Sequence, residues 1–131
     1  MKRITVVALA ALLAVIVSTQ AGARTNRSAA RSITLVSVKE VPGHLVQATV
    51  RITGWRMIPS KVSKKPNSAT GGHWHIFVNG KYNNYSANAT KGTTLKLKKG
   101  DYKITAALAN DDHSPVKGTH PTKAISVMVD G

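Results

Sequence analysis

Three histidines carry most of the chemistry this sequence offers. Two of them, His73 and His75, lie in the stretch Gly71-Gly72-His73-Trp74-His75-Ile76-Phe77-Val78-Asn79-Gly80. That stretch reads as a short β-strand closed by an Asn-Gly turn, and residues two apart on a strand project from the same face. The third, His113, lies in Asn110-Asp111-Asp112-His113-Ser114-Pro115, just beyond another strand candidate. If those two strands are neighbours, the three imidazoles converge on one ion, and imidazole or imidazole-carboxylate sets suit copper and zinc. The expected ligands are therefore His73, His75 and His113, with His120, Asp111 and Asp112 as further candidates. Because imidazole binds metal only when neutral, affinity is expected to fall as pH drops through about 6. The competing reading is structural: Asp112 caps a turn and His113 satisfies loop carbonyls at the end of a sheet.

Other chemistries are excluded or left without residues to perform them. The chain has no cysteine, which removes disulfides, iron–sulfur clusters, thiolate zinc sites and a thiolate-bound copper centre. Met57 and Met128 offer thioether sulfur to Cu(I) but read first as packing residues. No G-x-S-x-G, H-E-x-x-H or phosphate-binding glycine loop occurs, and the acids besides Asp111 and Asp112 are only Glu40, Asp101 and Asp130. A zinc-type hydrolase would need a substrate pocket that nothing in the sequence identifies. The chain reads as a binding protein, not an enzyme.

The elements that must position these histidines are strands. Downstream of Ser32, alternating apolar and polar residues recur between turn signals, with no helical spacing. Strands are predicted over Ile33–Val38, Leu45–Thr53, His73–Val78, Lys81–Ser86, Thr93–Leu97, Tyr102–Ala109 and Lys123–Val129. A long loop, Gly54–Thr70, holds at most a short edge strand near Trp55–Ile58. About seven short strands predict an all-β, immunoglobulin-like β-sandwich. Leu97-Lys98-Lys99-Gly100-Asp101-Tyr102 has the form of a tyrosine corner, which makes Tyr102–Ala109 the penultimate strand and the antiparallel neighbour of His73–Val78. Parity then puts Trp74, Ile76 and Val78 in the core with Ile104, Ala106 and Leu108, and turns His73, His75 and Phe77 to the other face. Phe77 there needs a cover, either the Trp55–Lys65 loop or Tyr82 and Tyr85.

The N-terminal end reads as an export signal. Lys2 and Arg3 precede an apolar run from Ile4 to Val17, and Ala21-Gly22-Ala23 supplies a cleavage site before Arg24. The run is short for a membrane anchor. Residues 1–23 are therefore expected to be a cleaved signal peptide, 24–31 a flexible basic leader, and 32–131 the sandwich domain, exported to the periplasm, cell wall or medium. The chain carries 19 Lys+Arg against 5 Asp+Glu, a formal net charge of +14. Outside the cytoplasm such charge seeks anionic wall polymers or lipid head groups, and the signal segment argues against nucleic acid as partner. A metal-free envelope module held by its basic loops, with Lys61, Lys64, Lys65, Lys96, Lys98 and Lys99 in turns, is the alternative function.

Gly72-His73-Trp74-His75, Asn79-Gly80, Leu97 to Tyr102 and Asp112-His113-Ser114-Pro115 together resemble a family of exported bacterial β-sandwich domains of unknown function. That family is marked by Gly-His-x-His, Asp/Asn-Gly, Leu-x-x-Gly-x-His/Tyr and Asp/Asn-His-x-Pro. The resemblance covers roughly the C-terminal sixty residues and implies a fold and a site but no reaction. Members often carry three consecutive histidines where Trp74 interrupts them here, so the middle position is not implied to be a ligand.

Overall fold

The computed structural model describes residues 30–130 of the 131-residue chain. The expected signal peptide and residues 24–29 of the leader lie outside the described residues, among which no helix is long and apolar enough to cross a membrane. The strands are β1 (Ser32–Val41), β2 (Leu45–Thr53), β3 (Arg56–Met57), β4 (Gly71–Val78), β5 (Lys81–Ser86), β6 (Lys91–Thr93), β7 (Gly100–Ala109) and β8 (Ile125–Val129). One sheet runs β1-β2-β6; the other runs β4-β7-β8 with β5 and the two-residue β3 also pairing with β4. The two sheets form an immunoglobulin-like β-sandwich, as the strand pattern predicts.

The core follows from period-two alternation. Val46, Ala48 and Val50 from β2 meet Trp74 and Ile76 from β4 and Ile104, Ala106 and Leu108 from β7, all buried in one cluster with Ile33, Leu35 and Val129. β4 and β7 are antiparallel, with Trp74 opposite Leu108 and Ile76 opposite Ala106, so the apolar residues of both strands share one face. The opposite face receives His73 opposite Ala109 and His75 opposite Ala107. The expected parity holds.

Local chemistry fixes the ends of these strands. Asn79 and Gly80 both adopt positive φ, 51° and 80°, the requirement of the tight primed turn that joins β4 to β5. Tyr102 Oη donates a hydrogen bond of 2.8 Å to the Lys98 carbonyl, closing the tyrosine corner before β7.

Several boundaries differ from expectation: β1 runs on to Val41, β4 begins at Gly71, β7 at Gly100 and β8 only at Ile125, and two further differences have a visible cause. β6 covers Lys91–Thr93, not Thr93–Leu97, because Thr94 takes over the pairing by exchange with a single residue: its N–H donates to the Val46 carbonyl and its Oγ1 accepts the Val46 N–H. Leu95 then turns outward. Arg31, expected to end the leader, belongs to the fold: its guanidinium lies 5.1 Å from the centre of the Trp55 ring and donates to the Ala69 carbonyl.

Gly72 sits against the C-terminal end of β7 and the Trp55 ring. A Cβ there would collide with the Ala109 carbonyl and crowd Trp55 Cζ2 and the Asn110 Cα at 3.1 and 3.2 Å. Gly72→Ala is therefore expected to destabilise the fold by about 1–3 kcal/mol through overpacking. Tyr102→Phe, which removes one partly exposed hydrogen bond, should cost about 1 kcal/mol. Chemical denaturation of both variants checks the order; a Gly72→Ala variant as stable as the parent would contradict the close approach.

Candidate metal centre

The outer face of β4 is not a solvated face. His73 is fully buried and His75 is 9% exposed. Space for the imidazoles comes from their cross-strand partners, since Ala107 and Ala109 present only methyl groups beside them. The roof comes from β5 and from the turn after β7. Tyr85 packs edge-on against His73 with ring centres 5.4 Å apart, and Tyr82 against His75 at 4.8 Å. Tyr82 also covers Phe77, at 6.3 Å.

Tyr82 and Tyr85 are three residues apart, so regular alternation would send them to opposite faces. The register between β4 and β5 shifts between Ile76 and Phe77: His75 faces Tyr85 and Ile76 faces Asn84, but Phe77 faces Tyr82. Asn83 is the extra residue of this bulge, and its Oδ1 accepts the Leu95 N–H. The bulge is what brings both phenols onto the histidine face.

His113 arrives from the turn that follows β7. The Asn110 carbonyl accepts the His113 N–H at 2.9 Å, closing a turn, and His113 itself takes φ = 70°, an uncommon left-handed conformation for a residue with a side chain. The segment 59–70, expected to be an open loop, clamps this turn. The Ser63 N–H donates to the Asp111 carbonyl, the Ser68 N–H to Asp111 Oδ2, and the Asp112 N–H to Asn67 Oδ1. Ser63 Oγ lies 2.7 Å from His113 Nε2, so that nitrogen is occupied and Nδ1 is left to face the other histidines.

The result is a triangle of nitrogens. His73 Nε2 and His75 Nε2 are 3.0 Å apart, and each lies 3.1 Å from His113 Nδ1. Three ring nitrogens aimed at one point make a poor hydrogen-bond set, because protons on any two of them would oppose each other. They make a good ligand set. With metal–nitrogen bonds of about 2.0–2.1 Å, such edges correspond to angles of about 90–100° at an ion, a three-point cap that leaves other positions open. Beside it lies a mainly apolar groove of about 420 Å³ lined by His75, Phe77, Tyr82, His113 and Pro115.

The other candidates stand elsewhere. Among the described residues the cluster able to hold an ion is His73, His75 and His113 alone. His120 is exposed and outside it. Asp112 accepts from both the Ser114 N–H and Ser114 Oγ, and these bonds hold its carboxyl below the usual carboxylate range, as a turn cap requires. Asp111 is fully buried in the clamp, with Oδ2 taken by Ser68. Tyr82, one of the expected covers of Phe77, does cover it; what sequence reasoning missed is the bulge at Asn83, the reach of Tyr82 and Tyr85 over the histidines, and Ser63. The alanines at 107 and 109, odd choices for a central strand, were the available signal.

No family model matches the chain, and no curated protein does. Among solved structures, the chain is similar to the Clostridium thermocellum CbhA fibronectin(III)-like modules, with a TM-score of 0.43 and 16% identity over 75% of this chain and 95% of that one. The sandwich assignment rests on the strand pairings themselves.

Burial keeps His73 and His75 neutral. Burial lowers the His73 pKa to about 4, assisted by the charge of a protonated His113 and opposed by Asp111. Burial likewise lowers His75 to about 4, assisted by His73 and His113. Protons therefore compete for these two rings nearer pH 4 than at the expected pH 6. Between an unfolded value of about 6.5 and the folded value, the unfolded chain binds protons that the folded chain refuses. Stability of the metal-free protein should accordingly be level in this respect above pH 7 and fall as pH drops from about 6.5 toward 4. Denaturant midpoints across that window test this, and a His73→Ala/His75→Ala variant should lose the slope. A flat profile in the parent protein would contradict it.

Proposed function

We propose that this chain is an exported metal-binding protein that holds one copper or zinc ion through His73, His75 and His113, as a carrier or buffer. The observation that carries this reading is the convergence of three imidazole nitrogens, two on buried rings and one on the half-buried His113, within 3.0–3.1 Å of one another. Supporting it, each ring is positioned with its ligating nitrogen free: His73 and His75 by the β4 pleat, and His113 by its bond to Ser63. An all-imidazole set without thiolate or carboxylate favours copper and zinc over calcium, magnesium or iron–sulfur chemistry. The export part rests on the N-terminal sequence, Lys2-Arg3 through Ala23. The carrier part rests on the lack of any acid–base motif in the sequence and on the groove beside the triangle, through which an ion can enter and leave.

A second reading has one observation of its own. Lys96, Lys98 and Lys99 line a single hollow with His44 and Leu97, at the opposite end of the β7 strand from the histidines, a place where an anionic envelope polymer would sit. Its mark would be attachment to anionic surfaces that weakens steeply with salt and ignores the histidines.

Calorimetric titration with Cu(II) and with Zn(II) separates the two. The metal reading predicts one ion per chain, abolished by His73→Ala/His75→Ala/His113→Ala with the fold retained by circular dichroism, and unchanged by His120→Ala. A folded parent protein that binds neither ion would leave the triangle structural and favour the basic hollow.

A further inference from the structure

Two buried polar atoms beside the triangle have no partner: Nδ1 of His73 and Oδ1 of Asp111. When Nε2 binds an ion, the His73 proton sits on Nδ1, and the orphan on the ring is then a donor. The orphan on Asp111 is an acceptor. Both residues are fully buried, where leaving either group unpaired is destabilising. Asp111 belongs to the same turn as His113, the Asn110–Ser114 turn that follows β7, whose first strand neighbour Ala109 pairs with His73. It is also fixed in place, with Oδ2 accepting from the Ser68 N–H and its own backbone carbonyl accepting from Ser63, at 2.7 Å each.

We infer that Asp111 is a positioning residue of the metal centre: its Oδ1 accepts the His73 Nδ1–H when Nε2 binds an ion. The inference rests on the triad reading above and moves Asp111 from candidate ligand to the shell behind the ligands. A carboxylate behind an imidazole selects the tautomer and makes the ligating nitrogen more basic. It also supplies one negative charge close to an otherwise all-neutral ligand set, which offsets part of the charge of a divalent ion in a buried place. With Ser63 behind His113, two of the three rings then have their outer nitrogen held from the same 59–70 clamp, since Ser68 in that clamp holds the carboxylate. Asp112, next in sequence, has its carboxylate turned to Ser114 and takes no part.

Asp111→Asn keeps the volume and an acceptor for Ser68 while removing the charge. Zinc titration of the parent protein and this variant should give a Kd raised about 10–100-fold by the substitution, the usual effect of removing such a partner. In a His73→Ala background the same substitution should change the residual affinity less than threefold, since the ring through which it acts is gone. Nitrogen-15 NMR of the zinc-loaded parent should show a slowly exchanging, downfield His73 Nδ1–H, moved upfield in Asp111→Asn; this signal needs no variant if the substitution impairs folding. Equal zinc affinity in a folded Asp111→Asn protein, or a His73 Nδ1–H that exchanges freely in the loaded parent, would overturn the role of Asp111 and leave the triad standing. A parent protein that does not bind zinc or copper would overturn both.

Discussion

The antiparallel register between β4 and β7 is the constraint on which the rest depends. It sets Trp74 against Leu108 and Ile76 against Ala106 inside the sandwich, and in the same stroke sets His73 and His75 beside two alanines outside it. A slip of one residue would exchange the two faces, burying imidazoles in the apolar core and exposing an indole. The core therefore guards the site. Every apolar contact that holds the register also holds the spacing of His73 and His75, so a strand places two of the three candidate ligands.

What the strands cannot supply, the connections do. His113 reaches the triangle from a tight turn with a left-handed backbone, and that turn is stitched to residues 63–68 by main-chain and side-chain hydrogen bonds. The tyrosines of β5 close the roof only because one residue of that strand is bulged out. Desolvation under this roof keeps His73 and His75 unprotonated well below neutral pH. Three ring nitrogens held 3.0–3.1 Å apart make a poor hydrogen-bond set by themselves and a geometry that could hold an ion. The packed core and the clamp hold that arrangement in place ahead of the ion.

Much of this was legible in the residues. Strict alternation in Leu45–Thr53 and the Asn79-Gly80 turn specify strands and a hairpin through local chemistry alone, and Tyr102 identifies its strand because a tyrosine corner needs a glycine turn just before it. Those three facts put His73 and His75 on one face, beside the end of the strand that leads to His113. The remainder depends on non-local contacts. The early end of β6 follows from Thr94 meeting Val46 across the sheet, and the shared face of Tyr82 and Tyr85 from a bulge that alternation cannot foresee. Asp111 and Asp112 are identical in type and adjacent, yet one is buried behind the triangle and the other caps a turn, a distinction made by Ser68 and Ser114 rather than by anything in the pair itself.

The most direct test of the account is X-ray absorption spectroscopy on the protein loaded with one equivalent of zinc or copper. Three imidazole nitrogens at about 2.0–2.1 Å, with the remaining scatterers light and exchangeable, is the predicted first shell. A shell with one imidazole or none, made up by oxygen donors, would contradict the claim that the β4–β7 register builds the site.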